Sequence, residues 1–339
     1  MARIVVSPEG LDLETRGRRD YYVGLEHPTL WGVYRIPVTV IVGPNAAPGR
    51  GVVAIGSTHG DEYEGPVAIK HLLHELREED VLGRIILIPL LNAVAFQAGR
   101  RDTPDDGVNL NRAFPGRADG SITSRIADLV TRFVFPQVHV VLDLHAGGEV
   151  ARFVPLTSMH EISDLRQRKA MEETARGFGT RFVLIYQNAT PGLLTSTAEK
   201  LGKITLGGEF GFGRSLQAEG VSMAKQGVLS AAVRHEQLKG PAPLNRHVAA
   251  SEQILVDSSS PESSILAPFD GHFEPCCATG QLVKKGQRIA YLHDFGRIDE
   301  PPLSMASPYE GYLLSMAWNA RVAGGQTVGV VAKVVPWCP

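Results

Sequence analysis

The sequence predicts an α/β protein: a mostly parallel mixed sheet with helices on both faces, followed by a small C-terminal all-β barrel-sandwich domain. Three observations predict it. From about Arg35 to Leu238, β-rich apolar runs alternate with stretches of helical period. Two of those runs are nearly unbroken, which suits central strands covered on both faces. After Lys239 the alternation stops, and a short β pattern occurs twice.

The elements follow in order. IPVTVIVG (36–43) and GVVAIGST (51–58) read as strands, and EGPVAIKHLLHELRE (64–78) is a helix with apolar residues at Val67, Ile69, Leu72, Leu73 and Leu76. GRIILIPLLN (83–92) and VHVVLDLH (138–145) are the central strands, with a helix over SRIADLVTRFVF (124–135) between them. TRFVLIY, TSTAEKLG, KITLGGEF and GVSMAKQGVLSAAVRHEQL then continue the alternation to Leu238. At 339 residues the chain exceeds one ordinary domain. We therefore divide it into residues 1–240, with an N-terminal β extension over about 1–34, a Pro-, Ser- and Ala-rich linker over 241–262, and a β domain over 263–339.

That last region repeats itself. APFDGHFEPCCATGQLVKKGQRIAYL from Ala267 lies over SPYEGYLLSMAWNARVAGGQTVGVV from Ser307, with a one-residue gap before the second Gly, so two β halves related by a pseudo-twofold are expected. The repeat resembles the biotinyl/lipoyl carrier fold. The intervening segment HDFGRIDEPPLSMAS holds no lysine, so a swinging-arm carrier role is not expected.

Composition narrows the partners. A net charge of -2 lacks the basic footprint that nucleic acid or an anionic membrane requires, and no segment has the length and apolarity of a membrane span or signal peptide. A small-molecule substrate and a cytoplasmic location are the expectation, and a homo-oligomer is left open. The three cysteines, Cys276, Cys277 and Cys338, have no CxxC spacing, so any metal must be held by histidine and carboxylate.

GSTHGDEYEG (56–65) places His59 at the end of a strand and Glu62 three residues on, where a helix is expected to begin. The two side chains can converge there, and His-x-x-Glu offers two of the three protein ligands of a catalytic zinc. An isolated HxxE is more often a helix start carrying acids. His145, at the end of a second central strand, changes the balance by offering a third ligand at the same sheet edge. Asp143 shares its strand face and is open to an orienting role. The polar stretch AGRRDTPDDGVNLNRAFPGR (98–117) is a long loop that Leu110 and Phe114 can anchor. Within it Asn111 and Arg112 can grip a carboxylate, and Arg101 can reach an oxyanion. Glu209, set among glycines at a strand end, suits a general base if its pKa is raised. Arg152, Arg181 and Arg214 are unranked candidates for shaping a pocket.

In this order these residues resemble the succinylglutamate desuccinylase/aspartoacylase family of zinc carboxypeptidase-like hydrolases, over about Val40 to Gly213. The forms GSTHGDEYEG and NLNRAFPG carry the resemblance, and they are nearest to the N-acetyl-diaminobutyrate deacetylase type linked to ectoine degradation. It implies one zinc ion per chain on His59, Glu62 and His145. Arg101 would polarise the carbonyl, with Arg100 as the alternative, and Asn111 and Arg112 would bind the α-carboxylate. Glu209 would be base and then acid in hydrolysing an N-acyl amino acid with zinc-activated water. A zinc carboxypeptidase acting on short peptides is the alternative. The family's C-terminal tyrosine has no identifiable counterpart here.

Overall fold

A computed structural model describes residues 4–26, 31–187, 191–243 and 247–338. Parts of the expected extension (1–3, 27–30), of the linker (244–246) and the last residue lie outside them. The centre of a 15-stranded sheet runs in the order Arg84–Ile88, Gly51–Gly56, Val138–His145, Ile204–Glu209, and these four strands are mutually parallel. Both flanks reverse direction. Val33–Val42 joins one side antiparallel and Leu156–His160 the other, so the sheet as a whole is mixed.

Alternation along each strand feeds two cores. Val52 and Ala54 face a layer with Ile69 and Leu72 of the helix Glu64–Glu75 and with Met223 and Val228 of the helix Ala218–Arg234. Val53 and Ile55 face the opposite layer, with Ile126 and Ala127 of the helix Ile122–Leu129 and Leu194 of the helix Leu194–Lys200. Helices therefore cover both faces. The helix expected over 124–135 changes form at Val130, continuing as a π turn and then a 3-10 turn around Pro136, which has no N–H to carry an α-helix on.

Two strands were not expected. Leu156–His160 carries Thr157, Ser158 and His160 yet is buried throughout: the Thr157 hydroxyl lies 3.0 Å from that of Thr180, and His160 Nδ1 lies 2.8 Å from Glu199 Oε2. Ala151–Phe153 pairs antiparallel with Ser315–Ala317, which ties the chain just beyond His145 to the C-terminal region. Within the expected linker, Ile254–Asp257 is a strand of the large sheet, parallel to Phe182–Ile185 and antiparallel to Lys333 and Val334.

The C-terminal pairing is reciprocal, as the repeat requires. Gly271–Pro275 pairs with the strand Arg288–His293, and Gly311–Ala317 with Thr327–Val334. Each half lends its short middle strand to the other: Leu282–Val283 pairs with Tyr312 and Gly311, and Arg321–Val322 with His272 and Gly271. A separate 4-stranded antiparallel sheet results. No helix among the described residues is long and apolar enough to cross a membrane.

Candidate metal and catalytic site

The carboxyl ends of the parallel strands open into a cavity of about 610 Å³. His59, Glu62, Arg101, Asn111, Arg112, His145 and Glu209 all line it. Ser57, with φ +57° in the left-handed region, turns the chain sharply out of the strand Gly51–Gly56 and delivers His59. Glu62 lies in this turn rather than in the helix, which starts at Glu64. His145 is the last residue of its own strand, and the parallel register sets Glu209 directly beside it.

The ring partners assign the tautomers. His59 Nε2 lies 3.2 Å from Asn109 Oδ1, and His145 Nε2 lies 2.7 Å from Asp143 Oδ2, so each ring donates outward. The Nδ1 atoms that remain stand 2.8 Å from the two oxygens of Glu62. Glu62 is 2% exposed, and a buried carboxylate faced by a ring nitrogen on either side calls for positive charge at that point, as protons on the imidazoles or as a cation held between the three groups. Burial pushes the Glu62 carboxyl up, but the two imidazoles outweigh it and hold the pKa well below the ordinary value. For His145, burial is likewise outweighed: the Asp143 and Glu62 carboxylates raise it well above its ordinary value. Two imidazole nitrogens and one carboxylate, close enough to share one ion, are a donor set that fits zinc. Asp143 completes it by holding His145 while accepting the Thr58 hydroxyl at 2.7 Å.

Around this centre the remaining expected residues converge. Arg101 Nη1 lies 3.0 Å from Glu62 Oε1, whereas Arg100 is exposed and absent from the cavity wall. Asn111 accepts the Leu194 N–H at 2.8 Å through Oδ1, which leaves its Nδ2 near His145 Nε2, 3.4 Å away. Leu110 and Phe114 are buried and anchor the loop as expected. Glu209 has one buried oxygen without a partner among the described residues. Burial first and then Glu62 push its pKa up to about 8, against the pull of His145 and Arg101.

The two other acids of the motif serve the scaffold. Glu64 accepts the Gln217 N–H at 2.9 Å and Asp61 accepts the Glu149 N–H at 3.1 Å, each fastening a distant loop to this turn. None of the three unranked arginines reaches the cavity wall: Arg152 lies over Phe212, Arg181 over Phe182 and Tyr312, and Arg214 beside Glu149. Sequence reasoning missed Tyr186, which ends the strand Phe182–Tyr186 and lines the cavity, with burial and then Glu199 raising its phenol to a pKa beyond the usual range. Its strand-end position was the available signal. It also missed Asn319, Arg321, Thr327 and Val330, which line the cavity from the C-terminal region and carry no local pattern.

Comparison with known proteins bears on the family of the chain. A model of the succinylglutamate desuccinylase/aspartoacylase catalytic domain matches residues 48–234. The chain is 35% identical over 306 residues to an N-alpha-acetyl-L-2,4-diaminobutyric acid deacetylase of Halomonas elongata, covering 90% of this chain and 87% of the relative. Among solved structures, the product-bound ectoine utilization protein EutE (DoeB) of Ruegeria pomeroyi superposes with a TM-score of 0.87 at 31% identity, covering 95% of this chain and 97% of that one. A succinylglutamate desuccinylase/aspartoacylase of Rhodobacter sphaeroides gives 0.89 at 29% identity, covering 99% and 100%.

Proposed function

Because the chain belongs to the succinylglutamate desuccinylase/aspartoacylase family, we propose that it is a zinc-dependent hydrolase of the amide bond in small N-acyl amino acids. His59 and His145, each through Nδ1, and the Glu62 carboxylate would hold the ion. When bound there, zinc lowers the pKa of water towards about 7 and polarises an acyl carbonyl. Glu209 takes the proton of the attacking water and returns it to the departing amine. Arg101 faces the carbonyl oxygen as negative charge develops on it, an interaction that strengthens in the transition state. Asn111, through Nδ2, and Arg112 take the α-carboxylate.

The observation that carries this reading is the meeting of all seven residues in one cavity, part of whose wall comes from residues beyond 310. That wall supports a small substrate over the alternative, a carboxypeptidase, which needs an open groove for peptides. The same observation supports a shielding role for the β domain over 263–339, and the reciprocal pairing of its two halves supports the carrier-like barrel-sandwich reading. N-acetyl-2,4-diaminobutyrate, the compound named for the Halomonas relative, is the first substrate to assay.

The test combines metal analysis with release of acid and free amine from a panel of N-acyl amino acids. We expect about one zinc per chain and a loss of about 10²- to 10⁴-fold in kcat for Glu209→Gln. Protein that retains no zinc, together with a fully active Glu209→Gln variant, would rule out the mechanism.

A further inference from the structure

Outside the cavity, three chain segments that carry the site meet around one side chain. Asp61 lies between His59 and Glu62 in sequence, and its carboxylate is fully buried. Its Oδ2 accepts the Glu149 N–H at 3.1 Å and lies 3.7 Å from Arg214 Nε. Arg214 in turn reaches Glu149, with Nη2 2.5 Å from Oε2. One guanidinium thus spans the turn that bears His59 and Glu62 and the loop that follows His145. Arg214 itself lies five residues after Glu209.

The backbone is shaped to admit this contact. Arg214 has φ +51°, a left-handed conformation that a residue with a side chain keeps only where its surroundings impose it. Gly148, at φ +52°, lets the chain approach the acid: a Cβ there would stand 2.5 Å from Asp61 Oδ2. The loop after His145 and the loop after Glu209 that carries Arg214 are laced by backbone bonds from Phe210 N to His145 O, Gly147 N to Gly211 O and Gly213 N to Gly148 O. The C-terminal region joins at this point, since Asn319 Nδ2 donates to Glu149 O at 2.9 Å and Trp318 N to Val150 O at 3.2 Å.

We infer that Arg214 is a positioning residue: by bridging Asp61 and Glu149 it fixes the spacing of the metal ligands and of Glu209, and it links that spacing to the docked C-terminal wall. It touches neither metal nor substrate. Its planar fork can meet two carboxylates at once, which a lysine ammonium at the end of a flexible stem does less well. The inference rests on the functional reading above.

Arg214→Ala is expected to weaken zinc binding by about 10- to 100-fold, measured by competition with a chelator, as loss of a group supporting metal ligands does. It should lower kcat more than it raises KM, and Arg214→Lys should recover part of both. Glu149→Gln, which keeps the fold and the backbone N–H but removes the outer charge, should shift zinc affinity in the same direction by less. Unchanged zinc affinity and kcat per folded molecule in Arg214→Ala, even with a lowered Tm, would show a merely structural role and overturn the proposal. A wild-type chain that binds no zinc would instead remove the functional reading, and this inference with it.

Discussion

Glu209 shows at the scale of one residue how a site works against its own fold. Its carboxyl titrates near 8 in the folded chain, against an ordinary value of 4.5, mainly because it is buried. The folded, metal-free protein therefore holds a proton that the unfolded chain releases, so stability is lost as pH rises from 4.5 to 8. Glutamine cannot ionise. Metal-free Glu209→Gln should have the higher Tm at pH 9, and its advantage should shrink at pH 5, which thermal unfolding at the two pH values will check. A bound cation pulls the carboxyl down again, so in the loaded enzyme the acidic limb of kcat/KM should fall below 8 and vanish in the variant. The legible residues of the site were those tied to a strand end or a compact motif: His59, Glu62, His145 and Glu209. Arg214 was visible only as an arginine near glycines, because what defines it is the separation of Asp61 and Glu149, set by folding.

At the scale of elements, the strand Val138–His145 carries a histidine near each end with opposite environments. His145 sits between two carboxylates that raise its pKa, whereas His139 packs edge-on against His235 at the end of the helix Ala218–Arg234, ring centroids 5.1 Å apart. Burial lowers both, and the cations Arg50 and Lys203 (for His139) and His139, Arg234 and Arg50 (for His235) lower them further, His235 to about 4. A histidine with a depressed folded pKa loses stability as pH falls below its unfolded value of 6.5. That loss is on the order of 3 kcal/mol between pH 6.5 and 4 for His235. His235→Gln should flatten the dependence of urea-unfolding free energy on pH across that window. Periodicity made the parallel strands and the long helices legible. It did not reveal Leu156–His160, whose alternation is hidden by buried polar residues with partners, nor Ala151–Phe153, which is a strand only because Ser315–Ala317 lies beside it.

The whole molecule is joined by a core as well as by strands. Leu314 is fully buried together with Leu156, Phe182 and Val256, so the C-terminal residues complete a cluster begun by the main sheet. Leu314→Ala should cost about 2 to 5 kcal/mol. If that core is shared as the packing indicates, calorimetry will show a single transition shifted downward, with both parts of the chain unfolding together, and not two transitions of which one moves. The repeat made the C-terminal architecture legible, but its docking was not, because residues of the second half, such as Leu314, Ser315 and Lys333, meet strands far back in the sequence.

The strand Thr327–Val334, with Val334 and Lys333 against Ile254–Asp257, has a consequence for the chain as it leaves the ribosome. A nascent chain ending near residue 300 has every residue proposed for chemistry, yet part of the cavity wall is unmade and the edge of Ile254–Asp257 is bare. The cavity is complete only when the last strand is in place, and until that strand arrives the open edge can pair with another growing chain.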